Sequence, residues 1–149
     1  MNKTKYFFFV AINALFLFLA SCKGTTPEPT TEERMKKSWT VQSVTENGAA
    51  AYTNGAANNT RPGYSQFQLN LASPPSVTYR SVDGQTFTGT YSISGSTLTL
   101  TGLTPQPTGT NGTISFNISN LTDTGVTLTR TTADPKTGNS TNVYTLKTP

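Results

Sequence analysis

The sequence predicts an all-β fold, an antiparallel up-and-down barrel of roughly eight strands with a β-sandwich as the alternative, and three observations predict it. From Trp39 onward, large apolar residues alternate with Thr, Ser, Asn and Gln, the pattern of strands with one buried face. The runs are separated by Gly, Asn, Asp and Pro, the residues that turns require. The long connections between runs all fall at one end of the sheet.

The runs are 38–45, 64–71, 76–82, 86–93, 97–101, 113–119, 125–130 and 142–147. Their alternation sends Trp39, Val41, Phe67, Leu69, Leu71, Val77, Tyr79, Phe87, Tyr91 and Ile93 inward. Leu98, Leu100, Ile114, Phe116, Ile118, Val126, Leu128, Tyr144 and Leu146 follow in the later runs. The opposite face is rich in Thr, which is β-branched for strand propensity yet polar for solvent.

If each run is antiparallel to the one before, successive connections alternate between two ends. Segments 46–63, 102–112 and 131–141 are long and share one end with the tight Asp83-Gly84 turn. Connections 72–75, 94–96 and 120–124 are short and share the other. A barrel with a loop-covered mouth and a tight floor has this form.

The chain opens with Lys3 and Lys5, then an apolar run from Tyr6 to Leu19 interrupted by Asn13. This reads as a signal peptide over residues 1–21, because a membrane-spanning helix needs about 20 apolar residues. Leu19-Ala20-Ser21-Cys22 resembles the lipobox of bacterial lipoproteins, in which the Cys is diacylated on sulfur and becomes the new N-terminus. That resemblance implies a lipidated Cys22, and two or more acyl chains make attachment effectively permanent. Residues 22–37 then hold the lipidated Cys, a Pro/Thr/Gly tether and a short helix over 31–37, signalled by the capping-box spacing of Thr30 and Glu33. Residues 38–149 are the barrel domain.

Composition excludes much chemistry. The chain has no His and one Cys, which removes an internal disulfide, Ser-His-Asp and Cys-His nucleophiles and most zinc sites. No cofactor or metal is expected, and the chain is read as a non-enzyme. Without Lys3 and Lys5 the net charge is about +2, spread without clusters, so no nucleic-acid footprint is present. Glu46, Asp83 and Asp134 map to the mouth, where carboxylates suit a Ca²⁺ site or a glycosidase-like pair. The plainer reading makes Asp83 and Asp134 turn formers.

Lys37-Ser38-Trp39-Thr40-Val41, Gly89-Thr90-Tyr91-Ser92-Ile93, Leu98-Thr99-Leu100 and Val126-Thr127-Leu128 resemble the lipocalin-like lipoproteins of Bacteroidota over Lys37 to Leu146. Lipocalins usually carry a Gly two residues before the Trp, where this chain has Lys37. They also carry an Arg stacked on that Trp, for which the outward Lys147 is no substitute. The resemblance implies a barrel that binds a small apolar or amphiphilic ligand. The residues that would meet it at the mouth are Arg130, which continues the inward phase of Val126 and Leu128, with Phe67, Tyr79, Phe87 and Tyr52. Arg130 would hold a carboxylate headgroup; alternatively it extends into solvent from a strand end. The inward residues are large apart from Gly89, so a filled barrel that meets an envelope protein or glycan through its long loops fits equally. Likeness to known lipoproteins also implies the outer membrane, since no Asp follows Cys22, and the late position of Glu28, Glu32 and Glu33 favours its periplasmic face. A monomer is expected.

Overall fold

The computed structural model describes residues 27–149. The expected signal peptide, Cys22 and the start of the expected tether lie outside the described residues. Helix α1 (Thr31–Met35) is short, and its start follows the capping-box spacing. Thr30 Oγ1 accepts from the Glu33 backbone N–H at 3.2 Å, and Glu33 Oε2 accepts from the Thr30 N–H at 2.7 Å. Helix expectation and structure differ only at the C-terminal end, where Lys36 leaves helical geometry.

Nine strands follow: β1 (Ser38–Glu46), β2 (Ala49–Thr53), β3 (Gln68–Asn70), β4 (Ser76–Arg80), β5 (Thr86–Ser94), β6 (Thr97–Thr104), β7 (Ile114–Ser119), β8 (Gly125–Arg130) and β9 (Asn142–Lys147). All pairings are antiparallel, in the order β2-β1-β3-β4-β5-β6-β7-β8-β9, and β1 pairs with β9 to close the sheet. The result is an eight-stranded up-and-down barrel with β2 as an added strand, so the sandwich alternative is set aside.

One edge of β1 is shared. Its first residues, Ser38 to Thr40, pair with β3, and Ser43 to Glu46 pair with β2. Two corrections to the sequence reading meet here. The run expected over 64–71 is a strand only over Gln68–Asn70, because Pro62 starts a 3-10 turn over Pro62–Gln66. The segment expected to be loop from 46 to 63 contains β2, joined to β1 through Asn47-Gly48 with φ of +49° and +83°. Asn-Gly with both φ positive is the sequence signal for a two-residue hairpin.

Two bulges set which side chains enter the barrel. In β1 the register shifts between Val41 and Ser43, so the inward phase passes from Val41 to Val44. In β5 it shifts at Gly89, where a Cβ would sit 2.5 Å from the Thr101 carbonyl oxygen. Beyond Gly89, Tyr91 and Ile93 are only half-buried, a correction to their expected place in the core. The rest of the expected inward set is buried, joined by Met35, Val44, Ala51, Tyr52, Tyr64 and Leu103.

The interior is a column of aromatic rings. Phe67 stacks on Tyr144 with centroids 4.7 Å apart, and Tyr79 stacks on Phe87 at 5.7 Å. Phe67 meets Tyr79 edge-on, and Phe116 and Tyr64 meet Tyr144 edge-on. At the floor, Trp39 is fully buried and its Nε1 donates to the Met35 carbonyl at 3.1 Å. Lys37 Nζ lies 5.8 Å from the Trp39 ring centroid. The turn that ends α1 therefore covers the floor, and the long loops cover the other end.

Candidate functional site: the plugged mouth

Strand ends and loops bring an unusual density of polar groups to the mouth. Glu46 ends β1, Ser81 follows β4, Arg130 ends β8 and Asn142 starts β9. The loops add Arg61, Tyr64, Asp83, Asp134, Lys136, Thr137 and Ser140. Of these, Tyr64, Ser81, Arg130, Asp134, Thr137, Ser140 and Asn142 are buried. Buried polar groups need partners, and here they partner one another.

Asn142 is the hub. Its Oδ1 accepts from Ser140 Oγ at 2.6 Å, and its Nδ2 lies 3.1 to 3.4 Å from Thr137 Oγ1, Tyr64 Oη, Tyr144 Oη and Asp134 Oδ2. Tyr64 Oη in turn donates to Glu46 at 3.0 Å. Each mouth carboxylate has its own cation. Arg61 Nε lies 2.6 and 2.7 Å from the two oxygens of Glu46. Arg130 Nη1 is 2.5 Å from Asp134 Oδ2 with both side chains almost wholly buried. Lys136 Nζ is 2.6 Å from Asp83 Oδ2, also reaches Ser81 and Gln85, and stands 4.8 Å above the Phe87 ring. Lys136 thus latches the loop over 131–141 to the turn after β4.

Electrostatics follow from this burial. Burial alone would raise the Asp83 carboxyl, but hydrogen bonds from Lys136, Ser81 and the Gln85 N–H bring it down to about 2. Burial pushes the Tyr144 hydroxyl up to about 12, and it raises Tyr79 and Tyr64 well above the ordinary phenol range. Tyr64 and Tyr144 therefore serve as neutral hydrogen-bonding groups.

Little space remains. Between Tyr79, Phe87, Ile114, Arg130 and the buried Pro107 the cavity is about 10 Å³. Such a volume holds at most one water molecule. Pro107 caps it, and the loop over 105–113 meets the loop over 131–141 where Gly109 abuts Pro135.

Arg130 points inward, as alternation predicts. Its burial is a correction to a strand-end side chain reaching solvent, and its charge is already answered by Asp134, whereas the sequence reading left it open at the rim. Phe67, Tyr79 and Phe87 are in the aromatic column, and Tyr52 is buried on β2 with its ring 6.4 Å from Tyr64. The carboxylates Glu46, Asp83 and Asp134 do not converge, and no group of three or more His, Cys, Asp or Glu residues with metal-site geometry occurs among the described residues. Asp134 instead caps the 3-10 turn Pro135–Thr137, and Asp83 accepts from the Gln85 N–H, as turn formers do. Sequence reasoning missed Lys136, Tyr64 and Asn142. Only Asn142 carried a signal, because it continues the inward phase of Tyr144 and Leu146.

An eight-stranded antiparallel barrel with an N-terminal helical turn over its floor, a buried Trp at the start of β1 and long loops over the mouth defines the lipocalin-like class. The lipocalin-like domain family matches residues 35–129, and the chain belongs to that family. Among solved structures it is similar to a lipocalin-like protein from Bacteroides uniformis, at 13% identity and a TM-score of 0.51, covering 78% of this chain and 99% of that one. It is also similar to an uncharacterized protein from Bacteroides eggerthii, at 13% identity and a TM-score of 0.46, covering 76% and 98%. No curated protein matches the sequence. Lipocalin-like barrels are in general ligand-binding and typically non-enzymatic.

Proposed function

We propose that this chain is a lipid-anchored, non-enzymatic binding protein of the bacterial outer membrane, held through Cys22 on the periplasmic side. It engages an envelope protein or glycan through the loops over its mouth. The observation that carries this reading is the filled interior: small-molecule sites occupy about 300 to 1,000 Å³, against about 10 Å³ for the cavity between Tyr79, Phe87, Ile114 and Arg130 inside the mouth. The mouth loops expose neutral hydrogen-bonding side chains, among them Asn54, Asn58, Gln106, Thr108, Asn111 and Asn139. Such groups suit glycan hydroxyls or a polar protein face. Native mass spectrometry of the barrel produced without residues 1–22 tests the point: a clean apo mass is expected, and a co-purifying amphiphile would overturn it.

A second reading, a small amphiphile with its carboxylate on Arg130, has one observation in its favour. Arg130 Nε is buried without a hydrogen-bond partner, so a carboxylate displacing Asp134 would find a donor waiting. Pro107 would have to move to admit it. Titration of the protein with a fluorescent fatty acid separates the readings, because saturable binding favours the second.

The anchor is tested apart from the ligand. Wild-type chain is expected to incorporate labelled palmitate and stay in the membrane fraction after a carbonate wash. Cys22→Ser should appear in the soluble fraction with an unchanged melting temperature.

A further inference from the structure

At the floor, outside the barrel, a groove of about 420 Å³ opens between α1 and β5. Pro74, Pro75, Tyr91 and Ile93 form its apolar walls, and Glu32 and Lys36 stand on its rim. Tyr91 and Ile93 are the two members of the alternating apolar set that the barrel leaves half-buried, and the Tyr91 hydroxyl is fixed by donating to the Leu71 carbonyl at 2.9 Å. The neighbouring Glu33 carboxylate is committed to the Thr30 cap and the Arg34 guanidinium to Glu28. Glu32 and Lys36 form none of the ion pairs among the described residues. One carboxylate and one ammonium therefore stand a helical turn apart, about 5 to 6 Å between Cβ atoms, beside an apolar slot.

We propose that this groove seats the headgroup of a zwitterionic phospholipid of the phosphoethanolamine class, so that the floor of the barrel rests on the bilayer. The inference rests on the anchor reading. Glu32 receives the ammonium, Lys36 the phosphate, and the Pro and Tyr91 walls lie against the glycerol region, the depth that Tyr favours at membrane interfaces. Charge complementarity argues for this occupant: a phosphoethanolamine carries its two opposite charges two carbons and an ester oxygen apart, matching Glu32 in α1 and Lys36 at its C-cap, whose N–H donates to the Glu32 carbonyl.

Tether length argues the same way. From Cys22 to Thr30 the chain spans at most about 26 to 29 Å extended, and about 15 to 17 Å on average. The headgroup layer is itself about 5 to 8 Å thick. The end of the domain that carries α1 therefore stays within reach of headgroups throughout.

The test uses the full chain reconstituted in vesicles containing phosphatidylethanolamine, with lipid-borne quenchers at headgroup depth. Acylation consumes the Cys22 sulfur, so an introduced cysteine becomes the sole free thiol. One variant, Ser92→Cys, carries an environment-sensitive dye in the groove, and another, Thr108→Cys, carries it on the mouth loops; both residues are exposed. The expected result is a blue shift and loss of emission at position 92, none at 108, and reversal at 92 when Glu32→Gln and Lys36→Gln are added while flotation with vesicles is unchanged. Equal quenching at the two positions overturns the proposal, as does a position 92 shielded from water but not quenched by lipid, the mark of a protein in the groove. A wild-type chain whose Cys22 takes up dye and which fails to float overturns the anchor and this proposal together, and so is told apart from the other failures.

Discussion

Arg130 and Asp134 face each other inside the mouth with side chains 3% and 6% exposed, so each neutralises a charge that water does not reach. Deleting one partner leaves the other buried and uncompensated. Arg130→Ala is therefore expected to lower stability by about 3 to 5 kcal/mol, read as a lower urea midpoint at unchanged slope. Replacing both, Arg130→Met with Asp134→Leu, should cost less than the single change, since no orphaned charge remains. The same logic separates Arg130 from Lys136. Asp83, the partner of Lys136, is 48% exposed, so breaking that latch is worth less than about 1 kcal/mol.

Strand β5 shows how one residue aligns an element. At Gly89 the backbone of β6 comes so close that a methyl group would meet the Thr101 carbonyl, and the bulge there turns Tyr91 and Ile93 out of the core toward the floor groove. Gly89→Ala should cost about 1 to 3 kcal/mol through this overpacking. A thermal melt equal to wild type would show that β6 gives way instead. Elements whose pattern is local were legible in the sequence: β8 and β9 have the boundaries that alternation gives, and α1 starts at the capping box. Elements with no strong alternation of their own were not. Strand β2 is Ala-rich and lacks the large alternating residues that mark the others, although Asn47-Gly48 announced its turn. At the mouth, period-2 alternation gave the facing of Arg130, Phe67, Tyr79 and Phe87, yet the pairing of Arg130 with Asp134 and the hub at Asn142 arise from loop geometry that no periodicity encodes.

Across the whole molecule, the buried phenols give the barrel an alkaline limit. Tyr64, Tyr79 and Tyr144 stay protonated in the folded state above the pH near 10 at which an unfolded phenol ionises. Their folded values are raised, so the stability they contribute is complete below pH 10 and is lost as pH rises beyond it. For Tyr144, raised from 10.0 to about 12, the loss by pH 12 is about 2 to 3 kcal/mol. Phenolate absorbance should then rise in two stages, the half-buried Tyr91 first and Tyr64, Tyr79 and Tyr144 only with the loss of near-UV circular dichroism. A single stage with the fold intact would place these hydroxyls in contact with water.

The seam between β1 and β9 sets the order of events during biogenesis. Val41 pairs with Leu146 and Glu46 with Asn142, so the first barrel strand finds one neighbour only after the whole intervening chain has been made. Until then β1 offers an open edge, a template for aggregation, and closure through so many intervening residues is slow compared with local hairpins. The β2 hairpin, formed from residues adjacent to β1, covers the Ser43 to Glu46 part of the other edge early and leaves Ser38 to Thr40 open only until β3 pairs. The chain thus passes through a partly shielded intermediate that lasts until β9 is available to pair with β1, so yield depends on limiting aggregation before closure as well as on native stability.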